Sequence, residues 1–351
     1  MLGQSDIAHY LLSLGVVKPR AVLDEELAVV DASRRNCVFL ATTPDGPTYV
    51  VKQAIPRNAE TLRHEAAVLR VLAAEPALAP VVPTVVHDDA AEALLVLSSP
   101  GGGREWNKHH VAGGFRPGPA RLLGRTLATL HGLPADDIDG RPDGVDPMWG
   151  LLLPEPPHVL LLDLSEAAQE LVARLQASPP LCDALRRLAT TVADGTLVHG
   201  DLRWDNCLAV AARASGRRTR LLLVDWEHCG RGDAAFDVGT VFGEYLRVWV
   251  ISITIVEPSD PARLLSLARY PLRQMQPAIH AFWTAYRTAN PGCPPLRRTI
   301  ELAAVHLLQS AVEYARGLSS VSAHAGTLVQ LADNLLRAPE DAASGLLGLR
   351  A

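Results

Sequence analysis

Leu197-Val-His-Gly-Asp-Leu-Arg-Trp-Asp-Asn-Cys-Leu208 is the stretch that decides the fold of this chain, and Leu222-Leu-Val-Asp-Trp-Glu227 echoes it. Each stretch begins with an apolar run typical of a buried strand, and each run ends in polar side chains. The residues that follow the two runs and are of interest here are His199, Gly200, Asp201, Asn206 and Asp225. An aspartate, an asparagine five positions later and then an apolar strand ending in a second aspartate form a specific pattern. Any one of these residues alone would be a weak signal.

Phosphoryl transfer from ATP explains why these residue types stand together. A carboxylate must hold and deprotonate the attacking hydroxyl, while an amide oxygen and a second carboxylate hold Mg²⁺ on the phosphates. Asp201, Asn206 and Asp225 supply these groups in the order that a kinase catalytic loop uses them. The pattern therefore predicts that Asp201 is the catalytic base and that Asn206 and Asp225 bind magnesium.

The same two stretches resemble the aminoglycoside phosphotransferase and choline kinase family, whose members have a protein-kinase-like fold. In that family, Gly usually replaces the Arg of the His-Arg-Asp triplet of protein kinases. An Asp followed by an aromatic residue, and often by Glu, replaces their Asp-Phe-Gly. Both replacements occur here, at Gly200 and at Trp226-Glu227. The resemblance is strong from about Leu197 to Leu246 and is hardly visible past residue 250.

This resemblance implies an α+β fold of two lobes. A small N-lobe, residues 1–99, would consist of an antiparallel sheet with one main helix and would bind the nucleotide. A larger, mainly helical C-lobe, residues 100–351, would carry the catalytic loop and the acceptor-binding region. The start of the chain agrees, because apolar runs alternate there with turn signals. We interpret as strands residues 27–30, 37–42, 48–54, 83–87 and 93–98.

Lys52 lies in the third of these strands, where a buried ammonium group needs an anionic partner. The segment Glu60–Leu72 has the apolar spacing of an amphipathic helix and offers Glu65 as that partner. In a kinase, such a lysine, braced by such a glutamate, orients the α- and β-phosphates of ATP. The alternative is that the ammonium group of Lys52 reaches solvent and that Glu65 is a surface charge.

Two further segments are candidates for nucleotide contacts. The polar loop Ser33-Arg-Arg-Asn36 would cover the phosphates, with Ser33 offering its hydroxyl and backbone N–H, although it lacks the Gly-x-Gly-x-x-Gly of protein kinases. As an alternative, this loop is simply an exposed hairpin turn. The family resemblance implies that backbone groups from Leu97 to Ser99 contact adenine, just before the Gly-rich break that would join the lobes.

His199 and Arg203 flank the predicted base. We expect His199 to brace the loop through a hydrogen bond to a backbone carbonyl or to Asp225, rather than to act as the base. Arg203 could meet the transferring γ-phosphoryl group or bind an anionic acceptor, and it could equally be a surface arginine beside Asp205. The resemblance also implies that Asp237 starts a helix and ties down the catalytic loop.

After a long irregular connection over 134–160, helices are predicted over 163–177 and 180–194. The C-terminal part is predicted to be helical over 262–289, 296–317 and 321–338. Enzymes of this family choose their acceptor in this region, yet residues 256–351 contain no dense cluster of Asp and Glu that would suit a cationic acceptor. A small molecule such as an aminoglycoside or an amino alcohol is the family default. A Ser or Thr of a peptide or natural-product intermediate is the alternative acceptor. An inactive nucleotide-binding scaffold is disfavoured because all the key residues are present.

Composition excludes several other classes of protein. The chain has 351 residues with 48% hydrophobic residues and a net charge of −5, which argues against a nucleic-acid-binding protein with a basic face. Its five cysteines lack paired spacing and are expected to be reduced, with no zinc site. The longest apolar run, 248–256, is about half of the ~20 residues that span a bilayer. We therefore expect a cytoplasmic enzyme without membrane or nucleic-acid partners, and the oligomeric state is left open.

Overall fold

The computed structural model describes residues 2–24, 26–33, 37–44, 46–55, 58–101, 103–135, 138, 140–142, 146–162, 164–211, 219–254 and 267–350. The chain forms two compact units that interleave along the sequence. The first consists of Met1–His109, Asp136–Val145 and Asp205–Gly230, and the second of His110–Ala135, Asp146–Trp204 and Arg231–Ala351. The division of the chain into functional lobes at residue 99 stays a prediction.

A five-stranded sheet is the centre of the first unit. Its strands are β1 (Ala28–Asp31), β2 (Cys37–Thr42), β3 (Thr48–Gln53), β4 (Thr84–Asp89) and β5 (Leu94–Ser99). All neighbours are antiparallel, in the order β1-β2-β3-β5-β4. Since β5 lies inside the sheet, its apolar run over 94–97 is buried. The register sets Lys52 of β3 opposite Val38 of β2 and Leu95 of β5.

Three helices accompany this sheet, namely α1 (Gln4–Ser13), α2 (Pro19–Leu23) and α3 (Ala59–Ala74). Helix α1 buries Ile7 and Leu11 in a core that includes Phe39 and Val51 of the sheet. Helix α3 buries one face, including Glu65, as the apolar spacing of its sequence predicts. The first unit therefore has the antiparallel sheet and the main helix that we expected.

A second sheet in the first unit consists of β6 (Arg104–Glu105), β8 (Cys207–Ala211) and β9 (Thr219–Leu223), in the order β6-β8-β9. Cys207 pairs with Leu223, so the residue before β8 and the residues after β9 emerge at the same end of the hairpin. There, Val224 N donates to Asn206 O over 2.9 Å. This register holds the backbone of Asn206 close to the end of the strand that leads to Asp225.

The rest of the chain is mainly helical. Its elements are α4 (Trp106–Ala112), α5 (Pro117–His131), α6 (His158–Leu161), α7 (Glu166–Gln176), α8 (Pro179–Ala189), β7 (Thr196–Val198), β10 (Gly230–Gly232), α9 (Ala234–Ile251), α10 (Leu272–Ala289), α11 (Leu296–Ala315), α12 (Ala323–Arg337) and α13 (Pro339–Gly345). Helix α9 is buried along most of its length. It lies against α11 so closely that a Cβ on Gly239 would be 2.8 Å from Ala303 N.

The structure corrects two helix boundaries. The helix expected over 262–289 begins at Leu272, and residues 267–271 are not helical. Pro271 explains this start, because proline has no N–H to donate within a helix and is tolerated just before or in its first turn. Residues 262–266 lie outside the described residues. The helix expected over 180–194 ends at Ala189, and the hydroxyl of Thr190 then bonds to the carbonyl of Arg187.

The connection expected to be irregular over 134–160 contains a 3₁₀ turn, Trp149–Leu152, and the short helix α6. Val248 to Ile251 of the long apolar run belong to helix α9. Within the described ranges, no helix combines the length and the apolar character that a membrane span would need.

Candidate active site

Lys52 is held between two carboxylates in the first unit. Its Nζ lies 2.8 Å from both carboxylate oxygens of Glu65 and 2.7 Å from Asp225 Oδ1. Burial alone would lower the pKa of the Lys52 ammonium group, but Glu65 and Asp225 outweigh burial and raise that pKa above its ordinary value. Lys52 is therefore a fixed positive charge, and the structure brings together three of the residues singled out in the sequence.

Glu65 also fixes the segment that follows β9. The backbone N–H of Trp226 donates to Glu65 Oε1 over 3.2 Å, and the indole N–H of Trp226 donates to Leu223 O over 2.9 Å. Asp225, the residue directly before Trp226, has a φ of 68°, which lies in the left-handed region that Asp tolerates better than most residues. Such backbone strain persists only where the surroundings impose it. Here it accompanies the contact between the Asp225 carboxylate and Lys52.

Asn206 and Asp225 offer an amide oxygen and a carboxylate oxygen from neighbouring ends of one β-hairpin. Asn206 is buried, while the side chain of Asp225 is 35% exposed. These hard oxygen donors are the type that Mg²⁺ prefers, and this ion usually takes its other ligands from water and substrate phosphates. The donor set therefore fits magnesium. Nowhere in the described chain do three or more His, Cys, Asp or Glu side chains group as a metal site.

The remaining candidates for nucleotide contacts lie on the large sheet. Ser33 Oγ accepts a hydrogen bond of 3.0 Å from Val38 N, and Ser33 N donates to Asp31 Oδ1 over 2.8 Å. These bonds define the start of the β1–β2 loop, and residues 34–36 lie outside the described residues. Leu97 is buried within β5, and Ser99 is the last residue of that strand, opposite Thr48.

His199 and Asp201 belong to the second unit, on a loop whose backbone is bound by Asp237. The carboxylate of Asp237 accepts hydrogen bonds from His199 N at 2.7 Å and from Gly200 N at 3.0 Å. Gly200 has a φ of 80°, which explains why glycine suits this position. Asp201 N lies 3.3 Å from His199 Nδ1, its acceptor. The buried Asp237 thus ties down the loop, as the family resemblance implied, but Asp233 rather than Asp237 is the N-cap that starts helix α9.

The pKa of Asp237 shows how this carboxylate is compensated. Burial raises the pKa, but the hydrogen bond and charge of His131, together with the His199 backbone, outweigh burial and lower it. His131 Nε2 lies 3.2 Å from Asp237 Oδ2, and His131 Nδ1 lies 2.7 Å from the hydroxyl of Tyr286. A chain of buried polar groups therefore connects α5 and α10 to the loop.

Arg203 is paired with the predicted base. Its Nη2 donates to Asp201 Oδ2 over 3.3 Å, its Nε lies 2.9 Å from Asp201 Oδ1, and its Nη1 donates to Glu313 Oε2 over 2.9 Å. Burial would lower the pKa of the guanidinium group, but Asp201 and Glu313 raise it. Arg203 is therefore a bridge between two carboxylates rather than a surface arginine, and Glu313 is a residue that sequence reasoning missed.

Glu244 is a second residue that the sequence did not reveal. This fully buried carboxylate accepts a hydrogen bond of 3.1 Å from Trp204 N. Arg247 Nε lies 2.6 Å and His306 Nε2 lies 3.0 Å from its Oε1. Burial raises the pKa of Glu244, but Arg247 and His306 overcome this effect and hold it well below its ordinary value. The signal that could have found it is a second acid, seven residues after Asp237, in a mostly apolar helix.

The candidate residues are thus divided between the units. The first unit carries Ser33, Lys52, Glu65, Leu97, Ser99, Asn206 and Asp225, and the second carries His199, Asp201, Arg203, Asp237, Glu244 and Glu313. In the first unit Lys52 bridges Glu65 and Asp225, and in the second unit Arg203 bridges Asp201 and Glu313.

Solved structures share this fold at low sequence identity. A choline kinase from Cryptosporidium parvum Iowa II is 12% identical, with a TM-score of 0.57, and the alignment covers 96% of this chain and 97% of that one. The choline kinase LicA from Streptococcus pneumoniae is 15% identical, with a TM-score of 0.51 and coverages of 93% and 99%. An aminoglycoside-3'-phosphotransferase of type VIII is 19% identical, with a TM-score of 0.50 and coverages of 82% and 96%. These likenesses confirm the protein-kinase-like fold.

The sequence itself decides the family. No curated protein matches the chain. Residues 26–278, which include every candidate residue except Glu313, match the sequence model of the phosphotransferase enzyme family, APH. This match covers well over half of the chain and confirms the expected phosphotransferase. The protein is a member of the phosphotransferase enzyme family.

Proposed function

We propose that this phosphotransferase moves the γ-phosphoryl group of ATP, with Mg²⁺, to a hydroxyl group of a small-molecule acceptor. The observation that carries the proposal is the position of Lys52, whose ammonium group is held by the buried Glu65 and by Asp225. A lysine fixed in this way presents a permanent positive charge at the place where a kinase needs one for phosphates. Family membership supports the phosphoryl transfer itself.

The first unit supplies the residues for the phosphoryl donor. Lys52, oriented by Glu65, binds the α- and β-phosphates, and Asn206 and Asp225 hold magnesium on the phosphate oxygens. When bound, the metal neutralises the negative charge that develops on those oxygens during transfer. Asp225 serves both cations, since one carboxylate can contact Lys52 and a metal at once.

Adenine and phosphate contacts complete the donor side. The backbone at Ser99, where β5 extends past its pairing with β4, contacts the edge of adenine, and Ser33 contributes its hydroxyl to a phosphate, since its N–H donates to Asp31. The structure of the choline kinase LicA in complex with AMP supports an adenine nucleotide for this fold. Use of ATP also supports a cytoplasmic location.

The second unit supplies the residues for the acceptor. Asp201 accepts the proton of the acceptor hydroxyl while the hydroxyl oxygen forms a bond to the γ-phosphorus of ATP. At the same time, the bond between the γ-phosphorus and the oxygen that bridges it to the β-phosphate breaks, and ADP leaves. Arg203 holds both oxygens of Asp201 in place and lends positive charge to the transferring group. His199 shapes the loop, because its ring accepts a hydrogen bond from the backbone of Asp201.

The acceptor class rests on the family, whose model matches this chain, and on the small molecules named for its structural neighbours, choline and aminoglycosides. The test is ATP consumption by the purified protein with Mg²⁺ across aminoglycosides, amino alcohols, sugars and Ser/Thr peptides. ADP release that depends on a small molecule supports the proposal. Release that depends only on a peptide would replace the acceptor, and failure to bind Mg·ATP would overturn the proposal.

A further inference from the structure

Helices α5 and α10 present positive charge without any carboxylate of their own. Neither helix contains Asp or Glu, although the chain as a whole has a net charge of −5. Their arginines are Arg121, Arg125, Arg273 and Arg287. Among the residues that the structure describes, no carboxylate lies within ion-pair distance of any of the four. By contrast, arginines on neighbouring helices are paired, for example Arg298 with Asp233 at 3.0 Å.

The two helices lie close together. A Cβ on Gly124 of α5 would lie 2.4 Å from Phe282 O and 3.1 Å from Tyr286 N of α10. Arg125 is the next residue after Gly124, and Arg121 is one helical turn before it. The segment of α5 that carries these arginines therefore packs against the C-terminal half of α10.

A cleft of about 220 Å³ opens on this part of the second unit. Its lining includes His280, Trp283, Thr284 and Arg287 of α10, together with Leu349 and Arg350 from the C-terminal segment. Trp283, Thr284 and Arg287 lie three, four and seven positions after His280, so all four side chains share one face of α10. Arg350, like Arg287, has no carboxylate partner among the residues that the structure describes, so both guanidinium groups are available to a ligand.

The C-terminal segment is fixed in place at this cleft. Gln276 of α10 donates from Nε2 to Leu346 O over 3.1 Å, and Leu349 N donates to Ala343 O over 2.8 Å. Leu349 is 1% exposed, so the segment is anchored by a buried side chain directly before Arg350. The backbone that carries Arg350 is thus built into the cleft rather than left as a loose end.

Trp283 supplies an independent observation. The residue is 5% exposed, and its indole N–H is buried without an acceptor in the described part of the chain. A buried donor that lacks a partner costs free energy, and such donors are usually satisfied by water or a ligand. Trp283 lines the cleft, and a ligand oxygen that reached this N–H on binding would supply the missing acceptor.

We propose that this cleft binds a small molecule bearing a phosphate or pyrophosphate group. Arginine guanidinium groups pair with phosphate through two parallel hydrogen bonds, and Thr284 adds a hydroxyl donor. The volume lies below the range that holds drug-sized ligands, which points to a ligand of few heavy atoms. The helix dipole alone favours a cation in the last turn of α10, where Arg287 lies. That preference accounts neither for Arg350 nor for the unpaired indole N–H of Trp283.

The test is calorimetric titration of the full-length protein with inorganic pyrophosphate, without Mg²⁺ and with saturating ADP to occupy the site around Lys52. We expect binding that weakens as salt is added. In the double variant Arg287→Gln, Arg350→Gln, the dissociation constant should rise at least about tenfold, since two charge-assisted contacts are lost. Neither arginine belongs to the proposed active site, so acceptor-dependent ADP release should persist in this variant.

A matched control is Arg187→Gln on α8, which removes another exposed arginine of the second unit that has no carboxylate partner among the described residues. Its affinity for pyrophosphate should equal that of the wild type. The proposal is overturned if the wild-type protein with ADP bound takes up no pyrophosphate. It is also overturned if the double variant binds pyrophosphate as tightly as the wild type does.

Discussion

Asp237 and Glu244 lie seven residues apart on helix α9, and both carboxylates accept hydrogen bonds from the backbone of a single loop. Asp237 binds the N–H groups of His199 and Gly200, and Glu244 binds the N–H of Trp204. Seven residues correspond to about two helical turns, so the two acids share one face. One buried helix therefore fixes both ends of the segment that carries Asp201 and Arg203.

Replacing Glu244 by Gln should lower turnover far more than nucleotide affinity. The change removes the charge that Arg247 and His306 surround, which leaves a partly buried cation without its partner. We expect a loss of about 3 kcal/mol in the free energy of unfolding. We also expect a fall in kcat, because the neutral amide of Gln holds the N–H of Trp204 more weakly than the carboxylate does. Urea unfolding, steady-state kinetics and calorimetry with ATP measure the three quantities.

The control for this prediction is Glu340→Gln, which removes an exposed glutamate that pairs with Arg297 on the surface. That variant should keep wild-type kcat and nearly all of its stability. If Glu244→Gln proved less stable but had the wild-type kcat, Glu244 would hold the fold together without positioning the loop.

Acid should weaken the stabilisation that Asp237 and Glu244 provide. Both pKa values lie below the ordinary values of 3.8 for Asp and 4.5 for Glu. The folded protein therefore binds these protons less tightly than the unfolded chain does, and acid favours unfolding. The contribution is complete above about pH 5 and declines as the pH falls toward the lowered pKa values.

The measurement is the difference in unfolding free energy between the wild type and Glu244→Gln, from neutral pH down to about pH 3.5. This difference should shrink below the ordinary pKa of glutamate, because the wild-type carboxyl group begins to be protonated on unfolding. A difference that stayed constant over that range would contradict the lowered pKa of Glu244.

The parts of the candidate site that the sequence predicted are those encoded within short segments. The strand that carries Lys52, the helix that carries Glu65 and the hairpin that follows Asn206 each have their own apolar pattern. The contact between Lys52 and Glu65 spans only 13 residues. Local patterns were sufficient there because a buried lysine in a strand requires a nearby acid.

Glu244 and Glu313 were missed because helix packing, rather than local sequence, brings them to the loop. Glu244 contacts the backbone of Trp204 across 40 residues, and Glu313 contacts Arg203 across 110 residues. On its own helix, Glu313 looks like an ordinary surface acid. Such contacts depend on the close approach of α9 and α11, for which Gly239 leaves room, and no residue pattern near Arg203 reports that approach.

Replacing Lys52 by Met should weaken ATP binding by at least about tenfold, since a charge-assisted contact with the phosphates is lost. The change should also destabilise the fold by about 3 kcal/mol, because Glu65 is fully buried and would lose its cation. Calorimetry with ATP and urea unfolding provide the measurements. Lys108→Met is the control, since Lys108 is exposed and pairs with Glu105 on the surface. Unchanged affinity in Lys52→Met would remove Lys52 from the phosphate site.

Replacing Asp201 by Asn should abolish turnover while leaving nucleotide binding nearly intact. The amide cannot accept the proton of the acceptor hydroxyl, so kcat should fall by at least about 100-fold. The affinity for ATP should stay within about twofold, because the residues proposed to bind ATP belong to the first unit. Asp183→Asn, an exposed aspartate on α8, is the matched control. Near-normal turnover in Asp201→Asn would require another residue to be the base.

Replacing Glu313 by Gln should reduce kcat/KM for the acceptor by about threefold to tenfold, because Arg203 loses the partner that opposes Asp201. The pairing predicts that Glu313 acts through Arg203, and a double-mutant cycle with Arg203→Lys tests this. If the prediction holds, the double variant loses less activity than the sum of the single losses, since both substitutions disturb the same bridge. Additive losses would mean that Glu313 contributes independently of Arg203, for example by contacting the acceptor itself.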